Sequence, residues 1–182
     1  METFETSRLT AERLRADHGS FMAALHLDPE VSRFLGGVRP ADETERYMAT
    51  NLAHWERHGF GLWVLRTRDG AFAGRAAIRH VVLDGTPEVD VAYTFRHALW
   101  GQGLATEITR TLVEIGFGRL NLPSLIGFAS AGNTASHRVL EKSGFGFERR
   151  TTFKDDEVVV YRRRNPASVQ GGSTQPASVP TR

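Results

Sequence analysis

The run from Glu88 to Glu107, EVDVAYTFRHALWGQGLATE, constrains this chain more than any other stretch. Its first half, Val89 to Phe95, is rich in β-branched and aromatic residues and reads as a strand. Its second half turns at Gly101-Gln102-Gly103 and continues through Ile108, Leu112, Val113 and Ile115, a three- and four-residue spacing that predicts a helix with one buried face. Strand, glycine turn and helix in that order have a chemical use. The first turn of a helix carries backbone N–H groups without partners, at the positive end of the helix dipole. Glycines remove side chains that would hold a ligand away, so a phosphate can rest on those amides. Gly101, Gln102, Gly103, Leu104, Ala105 and Thr106 are therefore read as a phosphate cradle. On this turn alone, an ordinary strand–helix connection fits equally well. A dinucleotide fingerprint fails because Thr106 stands where its third glycine belongs, which leaves a nucleotide-binding oxidoreductase weakly supported. A P-loop fails too, because the two lysines, Lys142 and Lys154, lie far from the turn.

A second motif follows in the expected order. After the predicted strand Ser124 to Ala129 comes NTASHRVLEKSGF, Asn133 to Phe145. Together with WGQGLATE, and with the opening Thr6-Ser7-Arg8-Leu9 and Asp28-Pro29-Glu30-Val31, it resembles the GNAT N-acetyltransferase superfamily. The resemblance spans about residues 5 to 162. It is strongest to the branch of ribosomal-protein N-terminal (alanine) acetyltransferases, with Trp100 where many relatives carry Arg or Gln. It implies an α/β (α+β) fold: a mixed, mostly antiparallel twisted sheet with a splayed central strand, flanked by helices. It also implies acetyl-CoA as co-substrate, no metal, and a small-molecule or peptide amine as acceptor.

The resemblance further implies how the site is built. The strand before the cradle would pair its backbone, at Tyr93, Thr94 and Phe95, with the pantetheine arm and offer an N–H to the developing oxyanion. Trp100 and the cradle residues would hold the pyrophosphate. Asn133 would bridge pantetheine and strand, and its helix-cap role is compatible with that. The loop between the first long helices would roof the acceptor, so Phe34, Leu35 and Arg39 are candidate substrate contacts, a plain connector being the other reading. Asp90 is the first candidate base and Glu88 the second. A carboxylate in an otherwise apolar strand costs free energy unless paired or used; the alternative is that Asp90 faces water. Many relatives place a tyrosine acid where this chain has Leu140, so Ser136 or water is left to protonate the thiolate. A catalytically silent acyl-CoA-binding regulator shares the cradle and is the rival reading.

Elsewhere the chain reads as one domain, residues 1–164, followed by a Pro/Ser/Gly-rich stretch, 165–182, expected to be a disordered tail. Helices are expected over 17–27, 31–35 and from Pro40 to near Gly59, and strands over 8–14, 61–66 and 72–79. A last hairpin is expected from 147 to 162. With no cysteine, disulfides and thiolate catalysis are excluded. A formal charge of +2 with scattered basic residues argues against nucleic acid. No apolar run is long enough for a membrane, and the acidic start lacks a signal-peptide pattern, so a cytoplasmic monomer or homodimer is expected. His54 and His58 stand four apart, but the sequence offers no third ligand, and no metal site is expected.

Overall fold

The computed structural model describes residues 1–168. Eight strands form one sheet: β1 (Thr3–Glu5), β2 (Leu9–Arg13), β3 (Leu62–Thr67), β4 (Phe72–Leu83), β5 (Thr86–Phe95), β6 (Ser124–Ser130), β7 (Gly146–Phe153) and β8 (Asp156–Arg164). Their order across the sheet is β1-β2-β3-β4-β5-β6-β8-β7. Every neighbouring pair is antiparallel except β5 with β6. Five helices flank the sheet: α1 (Gly19–Leu27), α2 (Pro29–Ser32), α3 (Ala41–His58), α4 (Leu104–Glu114) and α5 (Thr134–Lys142).

The helices start and stop for visible reasons. Asp28 caps α2 by accepting from the amides of Glu30 and Val31, with Pro29 as the first helical residue. Gly59 ends α3 in the left-handed conformation, at φ 71°, which a glycine adopts without steric cost. The buried faces of α1 and α3 carry Met22, Leu25, Met48 and Trp55. Trp55 packs edge-on against Trp63 of β3 and donates its indole N–H to the Leu62 carbonyl at 2.7 Å. On α4, Leu104, Ile108, Leu112 and Val113 are buried, as their spacing predicted. The helix then relaxes into one wider π turn, Ile115–Arg119, before the chain reaches β6.

One junction in the sheet differs from all the others. β4 and β5 are matched over ten residue pairs, Gly74↔Phe95 to Leu83↔Thr86. β5 and β6 are matched at one, Asp90↔Ile126. Beyond that point the two strands diverge, and the sheet opens into a cleft. Gly74 holds the other side of β5 close, since a Cβ there would lie 2.2 Å from the Thr94 carbonyl oxygen.

Several boundaries depart from the expectations; the short helix expected over 31–35, for one, is α2 at Pro29–Ser32, set earlier by the Asp28 cap. β1 was not anticipated: it is three residues long, and only Phe4 packs inward, edge-to-face on Trp63. β4 runs on to Leu83, so the turn into β5 is only Asp84-Gly85, both at positive φ. Asn165, expected to open the tail, is buried and donates to the carbonyls of Leu122 and, more weakly, Phe117. The rest of the stretch expected to be disordered, from 169 onward, lies outside the described residues. Among those described, no helix is long and apolar enough to cross a membrane.

Candidate functional site

The cleft opened by the β5–β6 splay has a volume of about 840 Å³. Side chains alternate along a strand, so Asp90, Ala92 and Thr94 share one face of β5 while Val91, Tyr93 and Phe95 share the other. On β4, Arg75 and Arg79 stand opposite Thr94 and Asp90 in register and lie on the first of these faces. That face looks toward α3, where the Arg75 guanidinium lies over the Tyr47 ring at 5.0 Å. The cleft therefore has two arms. One runs under α3 and the α2–α3 loop, lined by Phe34, Leu35, Arg39, Tyr47, Arg75 and Arg79. The other runs past Tyr93 to Asn133 and Ser136 at the start of α5.

None of the predicted cradle residues, Gly101 to Thr106, lines this cleft. Gly101 and Gly103 adopt φ 76° and 78°, so the left-handed backbone is what demands glycine at both. A Cβ on Gly101 would meet nothing within 4 Å, and one on Gly103 only Arg8 Nη2 at 3.6 Å. Glu107 N–H donates to the Gly103 carbonyl at 3.1 Å, which leaves the amides of Leu104, Ala105 and Thr106 as the unpaired first turn of α4. A phosphate fits that turn on charge and donor supply. Gln102 contributes its backbone more than its side chain: its carbonyl accepts from the Arg8 guanidinium at 2.7 Å. Arg8, not anticipated as part of the site, thus stands beside the cradle with a half-exposed side chain.

Trp100 also has a structural part in the turn. Its indole N–H donates to the Phe95 carbonyl at 2.9 Å and ties the turn to the end of β5. That bond occupies the Phe95 carbonyl, and the Phe95 side chain is buried. Asn133 caps α5, its side-chain oxygen accepting from Ser136 N–H at 3.1 Å, and both residues line the cleft. Leu140, at the place of the missing tyrosine, fills the room left by Gly127 of β6, where a Cβ would lie 2.4 Å from a Leu140 methyl.

The two candidate bases are both engaged. Asp90 is 2% exposed, and its two oxygens accept from Arg79 Nε at 3.0 Å and Nη2 at 3.1 Å. It neither faces water nor keeps a carboxylate oxygen clear of the guanidinium, so the role of free base does not suit it. The Asp90 charge in turn raises the Arg79 pKa, against the opposing effect of burial. Glu88 is bound by the Arg162 guanidinium on the far stretch of β5 and does not line the cleft. A carboxylate held bidentately by arginine is geometrically committed.

Three polar groups in or beside the cleft have no partner. The Tyr93 hydroxyl is buried and makes no hydrogen bond, with the Ser136 side chain beside it. Burial pushes its pKa up to about 12, so it is a neutral donor. The Tyr47 hydroxyl and Arg75 Nε are likewise buried and unpartnered. Tyr93 was expected at the site for its backbone and not its hydroxyl; Tyr47 and Arg75 were missed because each looks, in one dimension, like an ordinary helix or strand residue. The imidazole that His54 and His58 lacked as a third neighbour is His80 of β4. Ligand atoms of the three rings lie within 4.8 Å of one another. His54 is already committed, however: Nδ1 meets the Phe60 carbonyl at 2.8 Å and Nε2 accepts from the His80 backbone N–H at 3.0 Å.

Comparison with known proteins supplies the context. Residues 8–146 match the family described as Acetyltransferase (GNAT) domain. The chain is 32% identical over 154 residues to FsC-acetyl coenzyme A-N(2)-transacetylase of Aspergillus fumigatus, covering 78% of this chain and 64% of that protein. It resembles the crystal structure of an acetyltransferase from Agrobacterium tumefaciens at 26% identity and a TM-score of 0.80, over 90% of this chain and 95% of the other. The fold is also shared with RimL, a ribosomal L7/L12 α-N-protein acetyltransferase solved with coenzyme A, at 17% identity and a TM-score of 0.75, over 91% and 99% of the two chains.

Proposed function

The chain belongs to the GNAT acetyltransferase family, and from that premise we propose that its cleft moves an acetyl group from acetyl-CoA to a primary amine by direct attack. The observation that carries this is the splay itself: a single matched pair, Asp90↔Ile126, beside an unpaired helix start at Leu104–Thr106. The open edge of β5 has the spacing for an added strand, and the helix start has the amides for a pyrophosphate. Acetyl-CoA, when bound, supplies the activated thioester.

The chain's own residues divide the remaining work. Leu104, Ala105 and Thr106 hold phosphate through backbone N–H groups, and Asn133 and the Tyr93–Thr94 backbone flank the pantetheine. The amine enters by the opposite arm, under Phe34, Leu35 and Arg39. As the C–N bond forms and the C–S bond breaks, the proton on nitrogen leaves and one arrives on sulfur. Tyr93 does not deliver that proton. Its pKa near 12 lies more than three units above an ordinary thiol, near 8.5, so full transfer is uphill while a hydrogen bond to the thiolate is favourable. Ser136, beside Tyr93, or water is left to protonate the sulfur. Asp90 fixes Arg79 and acts through it.

Thiol release measured with acetyl-CoA and a panel of amines tests this, alongside CoA binding by calorimetry. Turnover is expected with at least one amine. CoA binding with no thiol release from any amine would instead mark a binding protein.

A further inference from the structure

The acceptor arm is built around a positive charge that the protein does not neutralise. Arg75 is 4% exposed, on a strand in the middle of the sheet. Among the described residues its guanidinium makes no hydrogen bond and no ion pair, its Nε is buried without a partner, and it lies 5.0 Å from the centre of the Tyr47 ring. Arg79, four residues on and on the same face, is satisfied by Asp90. Arg39 comes in from the roof, with Nη2 on the Leu35 carbonyl at 2.9 Å and the guanidinium 5.5 Å from Tyr47, and it too lacks a carboxylate. Three guanidinium groups therefore line one arm whose single buried carboxylate, Asp90, is taken by Arg79. The other charges lining the cleft stand at its rim: exposed Glu43, Arg46 already paired with Asp42, and Lys154 with Asp156 on the far side.

A buried charge without a partner is costly to the fold, and an unpaired guanidinium with a planar fork of donors is suited to one kind of guest, a planar oxyanion. The same charge repels a polycation. We propose that the acceptor is an amine that also carries a carboxylate, seated with its carboxylate on Arg75 and Arg39 beside the Tyr47 hydroxyl and its amino group directed to the β5–β6 splay. This rests on the acetyl-transfer reading above and names its substrate class. Arg75 then determines specificity, and the Asp90–Arg79 pair keeps the neighbouring guanidinium from competing for the same anion.

The test compares acids with their uncharged twins. Wild type is given acetyl-CoA with glycine, serine, phenylalanine, β-alanine and γ-aminobutyrate, with the primary amide of each, and with spermidine, and thiol release is followed. At least one acid is expected to exceed its amide at least tenfold in kcat/KM, with spermidine poorest. Arg75→Gln should bring that acid-to-amide ratio close to one, mainly through KM, while calorimetric CoA affinity stays unchanged. Arg75→Lys should recover part of the preference, which a purely structural arginine would not show. Circular dichroism and a cooperative thermal transition confirm that each variant is folded. Amides or spermidine turned over as well as the acids would overturn the inference and leave acetyl transfer standing. So would a ratio that survives Arg75→Gln. CoA binding without thiol release from any amine would overturn both.

Discussion

Tyr93 and Asp90 sit within four residues on β5 and invite opposite experiments. Tyr93→Phe removes a buried hydroxyl that has no protein partner, so the fold loses little. If the hydroxyl steadies the departing thiolate, the lost hydrogen bond to a charged group is about 1.5–3 kcal/mol, and kcat should fall roughly 10- to 100-fold with CoA affinity unchanged. Equal kcat in the two proteins would make Tyr93 a core aromatic. The pH profile sharpens this: a donor titrating near 12 stays protonated throughout the assay range, so Tyr93 should add no alkaline limb to the wild-type curve below about pH 11. Asp90→Asn behaves differently. It leaves the Arg79 guanidinium, largely enclosed, with half its partner gone. Breaking such a pair from one side costs on the order of 3 kcal/mol, so the variant should unfold at clearly lower urea concentration. A variant as stable as wild type but slow in turnover would return Asp90 to the role of base.

At the scale of elements, the cradle is stapled to the first strands by one carboxylate. Glu107, in the first turn of α4, accepts from the Thr6 hydroxyl at 2.6 Å, the Arg8 amide at 2.9 Å and Arg8 Nε at 2.7 Å. Burial alone would raise its pKa, but those donors outweigh burial and hold it at about 2. A pKa depressed on folding stabilises above the unfolded value, near 4.5, and that contribution fades as pH falls toward 2. With Arg8 half exposed, on the order of 1–3 kcal/mol is at stake. Glu107→Gln should lose stability at pH 7 and show a shallower acid dependence between pH 4.5 and 2 in urea titrations. Identical acid slopes would remove Glu107 from that role. The staple also shows how much was legible beforehand. Strands and helices with strong periodicity, β5 and α4 above all, were readable from residue spacing, as was the glycine turn that opens α4. Arg8 drew notice only as part of an opening pattern, because its partners lie 94 and 99 residues away. Arg75, Arg79 and His80 were opaque for the same reason. An arginine on a strand reads as solvated until the helix that covers it is known. β1 escaped because three residues with one inward side chain carry no period.

The single sheet has one weak seam, joined at one matched pair. β1 to β5 with α1 to α3 form one side, β6 to β8 with α5 form the other, and Asp90↔Ile126 is the sole register point between β5 and β6. Elsewhere in the sheet, neighbouring strands share from three to ten matched pairs, so the β5–β6 seam has the fewest backbone bonds to break. A pantetheine arm lying along β5 would add bonds there, and a pyrophosphate on α4 would anchor it. Binding should therefore stabilise by mass action and also redistribute protection. At a CoA concentration 100 times Kd the gain is about 2.7 kcal/mol, or roughly 5–10 °C in Tm for a domain of this size. In amide hydrogen exchange, the slowing should concentrate in Val91–Phe95 of β5, Ser124–Ser130 of β6 and the first turn of α4, with β1–β3 slowed no more than the global gain requires. A uniform slowing across all eight strands would mean that the seam is as cooperative as the rest of the sheet. Slowing confined to α4, with β5 and β6 unchanged, would mean that the ligand rests on the cradle without entering the splay, and the acceptor arm would then have no thioester to meet.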